Sequence, residues 1–122
     1  MLLLSGESIV RTYRIALGRE PAGPKERAGD GRTPEGRYSI DRRNPKSGYH
    51  RSLHISYPNE ADRERARAAG VDPGGDIMIH GLPNGAASRE GDWTQGCIAV
   101  TDAEIEEIWD LVCDGTSIEI YP

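Results

Sequence analysis

Cys97 is the side chain of this 122-residue protein whose surroundings most suggest covalent chemistry. It follows Gly96 and opens the apolar run at residues 98–100, in the stretch "TQGCIAV". A glycine beside a nucleophile lets backbone N–H groups approach a substrate carbonyl without a side chain in the way. A buried cysteine that starts a strand would show the same pattern. The local sequence therefore leaves both a nucleophile and a core thiol open.

A thiol needs a nearby base, because a free cysteine with a pKa of about 8.5 is only slightly ionised at neutral pH. His80 is the best candidate for this base. It ends the short apolar segment 76–81 ("DIMIHG"), and Gly81 follows it directly. Catalytic groups often lie where strands end and loops begin. A flexible loop is predicted over residues 82–93, and it could bring His80 and Cys97 together.

The remaining histidines and the second cysteine suggest less chemistry. On one face of a helix, the spacing of His50 and His54 would let both bind one metal ion. The sequence around them alternates as a strand, however, and four strand residues span about 13 Å, which is too far for a shared ion. CxxC and HExxH motifs are absent from the sequence, so neither a metal nor a cofactor is predicted. Cys113 follows the apolar Val112, which predicts a half-buried structural thiol. A disulfide between Cys97 and Cys113 fits the cysteine count, but their different settings argue against it.

The composition excludes some classes of function. The chain has 20 acidic and 15 basic residues and a net charge of −5, with the arginines dispersed among acids. This pattern lacks the basic surface of a nucleic-acid-binding protein. The apolar run at the start, "MLLL", is shorter than a signal-peptide core or a membrane span, so the sequence as written predicts a soluble chain. The 15 glycines and 8 prolines favour short strands joined by turns.

The pattern of apolar residues predicts a single β-rich domain over residues 1–122. Residues 2–18 are expected to form two strands with a turn at Ser5 and Gly6, and an earlier pairing strand is expected before them. A long loop rich in glycine and proline follows at 19–36. Further strands are predicted at 37–44, 52–58, 76–81 and 117–121.

Two helices are predicted. Residues 59–70 form a polar surface helix that faces inward only through alanine, with Asn59 as its N-cap and Gly70 at its end. Residues 101–115 form a second helix, which begins with a capping box made by Thr101 and Glu104. Its apolar face is expected to pack on a sheet. That face consists of Ile105, Ile108, Trp109 and Val112.

The stretch "IMIHGLPNG…DWTQGCIAV" resembles the signature of the L,D-transpeptidase catalytic domain family (YkuD-like), and "TQGCIAV" is similar to its YafK-like branch. The segments "YRIALG", "GDGRTPEGRYSI" and "SLHISYPN" also resemble that family, so the resemblance covers nearly the whole chain. It implies a mainly β fold with some helix: a β-sandwich or flattened barrel with a helix packed on the sheet.

The resemblance also implies residue roles. Cys97 would be the nucleophile, His80 the base, and the carbonyl of Gly81 would orient the imidazole. The amides of Gly96 and Cys97 would form the oxyanion hole, with Gln95 at its border. The substrate groove would be lined by Trp93, Thr94 and Tyr57. Many family members carry histidine at the position of Gln95, and Arg or Asn shortly after the cysteine, where this chain has "IAV".

The implied activity is attack of the thiolate on an L,D-amide of peptidoglycan stem peptides, in the bacterial cell envelope or periplasm. An acyl-enzyme forms, and an amine then takes the acyl group. The alternatives are hydrolysis of the same bond as a carboxypeptidase or amidase, release of a wall-linked protein, and an inactive peptidoglycan-binding module.

Overall fold

Within residues 1–86 and 89–122, which a computed structural model describes, the chain forms seven strands and two helices. Residues 87 and 88 belong to the predicted loop 82–93, and that part of the prediction lies outside the described residues. The strands are β1 (Leu2–Ser5), β2 (Ser8–Thr12), β3 (Gly36–Ser47), β4 (His50–Ile55), β5 (Met78–His80), β6 (Ile98–Ala99) and β7 (Ser117–Ile120). The helices are α1 (Glu60–Ala69) and α2 (Asp102–Leu111).

Five strands form one sheet in the order β6-β5-β4-β3-β7, and β1 and β2 form a separate antiparallel hairpin. Within the sheet only β5 and β6 run parallel. The sheet is curled like a half-barrel. The hairpin turn lies at Gly6 and Glu7, because Ser5 pairs with Ser8; this is one residue later than predicted. The predicted β-rich fold with a helix packed on the sheet is confirmed.

The core lies between one face of the sheet and α2. Leu53, Ile79 and Ile98 point to this face from three neighbouring strands, and Ile105 and Ile108 of α2 are buried against them. Burial of each such side chain contributes about 1.5–3 kcal/mol to the free energy of unfolding. Because side chains alternate along a strand, the opposite face of β4 and β5 carries Ser52, His54 and His80 together with Met78. The candidate site lies on that opposite face.

The helices confirm the predicted caps and correct two details. Thr101 and Glu104 form the predicted capping box of α2, but the helix ends at Leu111 because Val112 has an extended backbone. Gly70 ends α1 in the left-handed conformation, as predicted. Asp62 of α1 is buried and accepts a 2.7 Å hydrogen bond from the Tyr38 hydroxyl. The inward face of α1 is therefore not made by alanine alone. Neither described helix has the length and apolarity of a membrane span.

Candidate active site

His80 and Cys97 lie on the same face of the sheet, at neighbouring strands. In the parallel ladder of β5 and β6, His80 pairs with Ala99. Directly paired residues point to the same side, and so does a residue two positions earlier on the same strand. Cys97, two residues before Ala99, is therefore on the face that carries His80. The spacings of strands and residues place the two Cα atoms about 8 Å apart.

The thiol of Cys97 is held by backbone groups of the segment that leads into β5. Its Sγ donates a hydrogen bond to the carbonyl of Asp76 at 3.3 Å, and the nearby backbone of Met78 lowers the pKa of the thiol. Burial raises the pKa of the Cys97 thiol, with a smaller contribution in the same direction from the Asp76 carboxylate. The thiol is consequently uncharged at neutral pH in this arrangement.

His80 is 4% exposed, and two contacts fix the orientation of its ring. Nδ1 donates a 2.7 Å hydrogen bond to the carbonyl of Gly81, which is the contact that the resemblance implied. The Tyr49 ring stacks on the imidazole at a centroid distance of 4.4 Å. Burial lowers the pKa of His80 and outweighs the opposing effect of the Gly81 bond. A neutral imidazole with its proton on Nδ1 leaves Nε2 as a proton acceptor.

Glycine is required at position 81 by close packing. A Cβ there would lie 2.5 Å from Oδ1 of Asp102 and 3.0 Å from the carbonyl oxygen of Tyr49. The Gly81 N–H donates to that same Tyr49 carbonyl at 3.0 Å. The backbone that orients His80 is therefore clamped between α2 and the start of β4. This explains why a glycine follows the histidine in the sequence.

The turn before Cys97 is organised by Thr94. Thr94 is 4% exposed, as little as His80, and its place in the substrate groove stays a prediction. Its Oγ1 donates to the Cys97 carbonyl at 2.7 Å and accepts from the Gly96 N–H at 3.1 Å. The Gly96 amide is thus already engaged and does not offer an oxyanion donor here. Within residues 1–86 and 89–122, the Cys97 N–H donates to no carbonyl or side chain.

The other residues predicted to border the site lie in three different environments. They are Tyr57, Trp93 and Gln95. The place of Tyr57 in the substrate groove stays a prediction. Tyr57 is 3% exposed, and its hydroxyl donates to the Pro73 carbonyl at 2.7 Å. It is buried because strand alternation extends the core face of β4 to this position. Trp93 is half-buried, with its ring centroid 5.7 Å from that of His80. Gln95 is exposed at the turn.

The prediction for Cys113 is wrong. Cys113 is exposed because α2 has already ended, and both cysteines are free thiols. The other two histidines pair with separate acids: His50 Nε2 lies 2.9 Å from Glu106, and His54 Nδ1 lies 2.6 Å from Asp41. Among the described residues, no three His, Cys, Asp or Glu side chains are grouped so that they could hold a metal ion.

Sequence reasoning missed Tyr49 and Asp76, two residues that contact the candidate pair. Tyr49 lies in the tight β3–β4 connection, and its stacking on His80 depends on the pairing of β4 with β5. Asp76 adopts a left-handed backbone, with a φ of 55°, and this conformation accompanies the contact of its carbonyl with the thiol. The preceding "DPGG" was the available signal, because it marks an irregular turn just before a strand.

Comparisons with known proteins identify the family of the chain. Residues 1–120 match the family described as the YkuD L,D-transpeptidase catalytic domain. The chain is 33% identical over 124 aligned positions to the Escherichia coli K12 protein named "Putative L,D-transpeptidase YafK", covering 93% of this chain and 44% of that protein. The alignment thus spans less than half of this relative.

Solved structures show the same fold. The helical cell shape determining protein Pgp2 from Campylobacter jejuni superposes with a TM-score of 0.69 at 31% identity, over 86% of this chain and 36% of that one. An L,D-transpeptidase from Xylanimonas cellulosilytica superposes with a TM-score of 0.64 at 18% identity, over 98% of this chain and 54% of that one.

The mostly-strand architecture, with its curled sheet and two helices, is shared with L,D-transpeptidase domains. The chain belongs to the YkuD L,D-transpeptidase catalytic domain family.

Proposed function

We propose that this domain is a cysteine-dependent L,D-transpeptidase that acts on peptidoglycan stem peptides through an acyl-enzyme at Cys97. One observation carries the proposal: Cys97 and His80 share a sheet face, and the Gly81 carbonyl leaves Nε2 of His80 as a base. Membership of the L,D-transpeptidase family supports the reaction class. The same membership favours a site of action in the cell envelope.

The reaction starts from an uncharged thiol and an uncharged imidazole. Rotation about the Cα–Cβ bond of Cys97 exchanges the Asp76 carbonyl for Nε2 of His80 as the acceptor of the thiol proton. As that proton moves to Nε2, Sγ attacks the carbonyl carbon of the substrate amide and a C–S bond forms. The Cys97 N–H is suitably placed to donate to the resulting oxyanion, and one such donor contributes about 3 kcal/mol in the transition state.

The intermediate then collapses to the acyl-enzyme. The imidazolium of His80 gives its proton to the leaving amine, the C–N bond breaks and a thioester remains on Cys97. An incoming amine attacks the thioester, His80 takes the proton of that amine, and the proton returns to the sulfur as the C–S bond breaks. Water in place of the amine would give hydrolysis, and the groups that Cys97 and His80 supply are the same in both cases.

An intact-mass measurement after exposure to a carbapenem tests the nucleophile. A strained β-lactam acylates an activated thiol and adds its whole mass to the protein. We expect one adduct on the wild type, one on Cys113→Ala and none on Cys97→Ala. The Cys113 variant is the matched control because it removes the other free thiol, which is exposed and lies outside the site. A wild type that stays unmodified, or an adduct on Cys97→Ala, would contradict the assignment.

Product analysis identifies the acyl acceptor. Stem tetrapeptides incubated with the wild type and an added diamino acid should give a cross-linked or exchanged product. Shortened peptides formed at the same rate with and without the acceptor would show a carboxypeptidase instead. Release of a protein from wall fragments would show an amidase that acts on a wall-linked protein.

The raised pKa of Cys97 and its contact with Asp76 rather than His80 favour a second candidate, an inactive peptidoglycan-binding module. This candidate predicts ordinary thiol reactivity at Cys97 and muropeptide binding that is undiminished in Cys97→Ala. Turnover of stem peptides by the wild type would exclude it.

A further inference from the structure

A row of side chains crosses the site face of the sheet toward Cys97. Arg42 of β3 pairs directly with His54 of β4, and His54 pairs directly with Met78 of β5. The pairing of Ile79 with Ile98, continued by one residue, places Met78 beside Cys97, which directly precedes β6. The four side chains therefore form one line, at about 4.8 Å per strand. Arg42 is at the far end of this line, with its Cα about 14 Å from that of Cys97.

A cavity of about 280 Å³ lies over this row. It is lined by Arg42, Arg43, Asn44, Ser52, His54 and Met78. None of these lining side chains is acidic. Since Met78 lines the cavity and the strand register places it beside Cys97, the cavity adjoins the candidate nucleophile. A substrate attached to Cys97 can extend into it along the sheet surface.

Arg42 provides the cavity's unpaired positive charge. Among the described residues, its guanidinium forms no hydrogen bond or ion pair. The neighbouring Arg43 differs, because its guanidinium binds the carbonyls of Trp109 and Val112 and the carboxylate of Asp114 on the other side. Arg43 therefore has a structural role, and Arg42 is available to a ligand.

His54 contributes a polar group of defined orientation. Its Nδ1 must carry a proton, because the Asp41 carboxylate 2.6 Å away only accepts hydrogen bonds. Nε2 is thus the ring nitrogen left for a ligand. Ser52 donates to the Ser47 hydroxyl at 2.6 Å and keeps its own lone pairs for a donor. The cavity combines these hydrogen-bonding groups with one free guanidinium, a set that suits a peptide bearing a carboxylate.

We propose that this cavity is a carboxylate-binding subsite for the acyl-donor peptide, with Arg42 as the group that pairs with the carboxylate. The inference rests on the proposed function, since it assigns the substrate held at that same site. An extended peptide advances about 3.4 Å per residue, and the arginine side chain reaches back toward the nucleophile. The recognised carboxylate is consequently roughly two to three residues from the amide that is cleaved. Arg42 is on this view a specificity residue and takes no part in bond breaking.

Steady-state kinetics with Arg42→Gln tests the subsite. The substrates are a stem tetrapeptide with free carboxylates and its analogue with every carboxylate amidated. We expect Arg42→Gln to raise KM for the free tetrapeptide about tenfold at unchanged kcat, because a charge-assisted pair is lost. The amidated analogue should show a similarly raised KM with the wild type, and Arg42→Gln should raise it no further. Arg37→Gln is the matched control, since Arg37 is an exposed arginine of β3 that pairs with Glu119.

Binding measurements keep this inference separate from the proposed function. Calorimetry with the Cys97→Ala protein measures tetrapeptide affinity without turnover, and the same protein carrying Arg42→Gln should bind about tenfold more weakly. This loss would support the subsite even if the wild type proved inactive. Equal affinity of the two proteins, or equal binding of free and amidated peptides, would overturn the proposal. A wild type that forms no carbapenem adduct would overturn the proposed function alone.

Discussion

The carbonyl of Asp76 accepts the hydrogen bond of the Cys97 thiol at 3.3 Å, from a residue whose backbone is left-handed. The contact holds the sulfur in its protonated form and turns it toward the segment before β5. An aspartate tolerates this conformation better than most residues with a side chain, and asparagine tolerates it equally well. The relationship therefore links the left-handed backbone of Asp76 to the protonation of the Cys97 thiol, the candidate nucleophile.

Replacement of Asp76 by Asn should make Cys97 more reactive. The substitution removes a carboxylate that raises the pKa of the thiol, although burial, the larger cause, persists. The pH profile of iodoacetamide labelling at Cys97, followed by mass spectrometry in a Cys113→Ala background, should shift to lower pH. Asp110→Asn, an exposed change on α2, is the control and should leave the profile in place. A profile unmoved by Asp76→Asn would show that the carboxylate does not act on the sulfur.

Acid should destabilise the fold through His80. Its pKa is lowered in the folded protein by burial, so below about pH 6.5 the unfolded chain takes up a proton more readily than the native state. The contribution of neutral His80 to the free energy of unfolding is fully present above pH 6.5. It is lost as the pH falls through the pKa that His80 has in the folded protein. Urea unfolding at pH 7.5 and pH 5 should show a larger loss for the wild type than for His80→Gln. Equal losses would mean that other groups account for the acid sensitivity.

Thr94→Val should weaken both the fold and the site. The substitution keeps the side-chain volume but removes the bonds to the Cys97 carbonyl and the Gly96 N–H. We expect the free energy of unfolding to fall by about 1–3 kcal/mol, because two buried backbone groups lose their partner. Thr94→Ser keeps the hydroxyl and should retain most of the stability and the rate of carbapenem acylation. If the valine and serine variants acylate at the same rate, Thr94 does not position the nucleophile.

Gly81→Ala should be poorly tolerated because the added methyl would meet Asp102 and the Tyr49 carbonyl. Forced backbone movement of this kind typically costs about 1–3 kcal/mol. It should also slow acylation of Cys97 by displacing the carbonyl that holds His80. Gly48→Ala is the matched control, because a Cβ at that position meets no atom within 4 Å. Thermal unfolding of the two variants checks the difference, and an unaffected Gly81→Ala would disprove the clamp.

The sequence alone predicts the features that depend on residues close together in the chain. The caps at Asn59 and Thr101 and the apolar face of α2 follow from short-range rules, and the structure confirms them. The end of α2 was misplaced because the extended Val112 is set by contacts from β3, where Arg43 binds its carbonyl. Such a contact between distant residues leaves no local signal.

The sequence names the candidate pair, and the structure adds its surroundings. The pattern "HG" followed by "TQGC" pointed to His80 and Cys97 through family resemblance, and the register of β5 and β6 places both on one face. Tyr57 lies in the core, in the same alternation as Leu53 and Ile55. The engagement of the Gly96 amide by Thr94 depends on a turn conformation that composition does not encode.

The parallel pairing of β5 and β6 sets the distance between the two candidate reactive residues, Cys97 and His80. Backbone hydrogen bonds such as that from the Val100 N–H to the His80 carbonyl, at 2.9 Å, fix the offset of the two strands. The connecting segment 82–93 does not set this offset. Insertions or deletions in that segment should therefore alter what surrounds the site while leaving the spacing of sulfur and imidazole intact, which makes the connection a natural place for substrate preference to diversify.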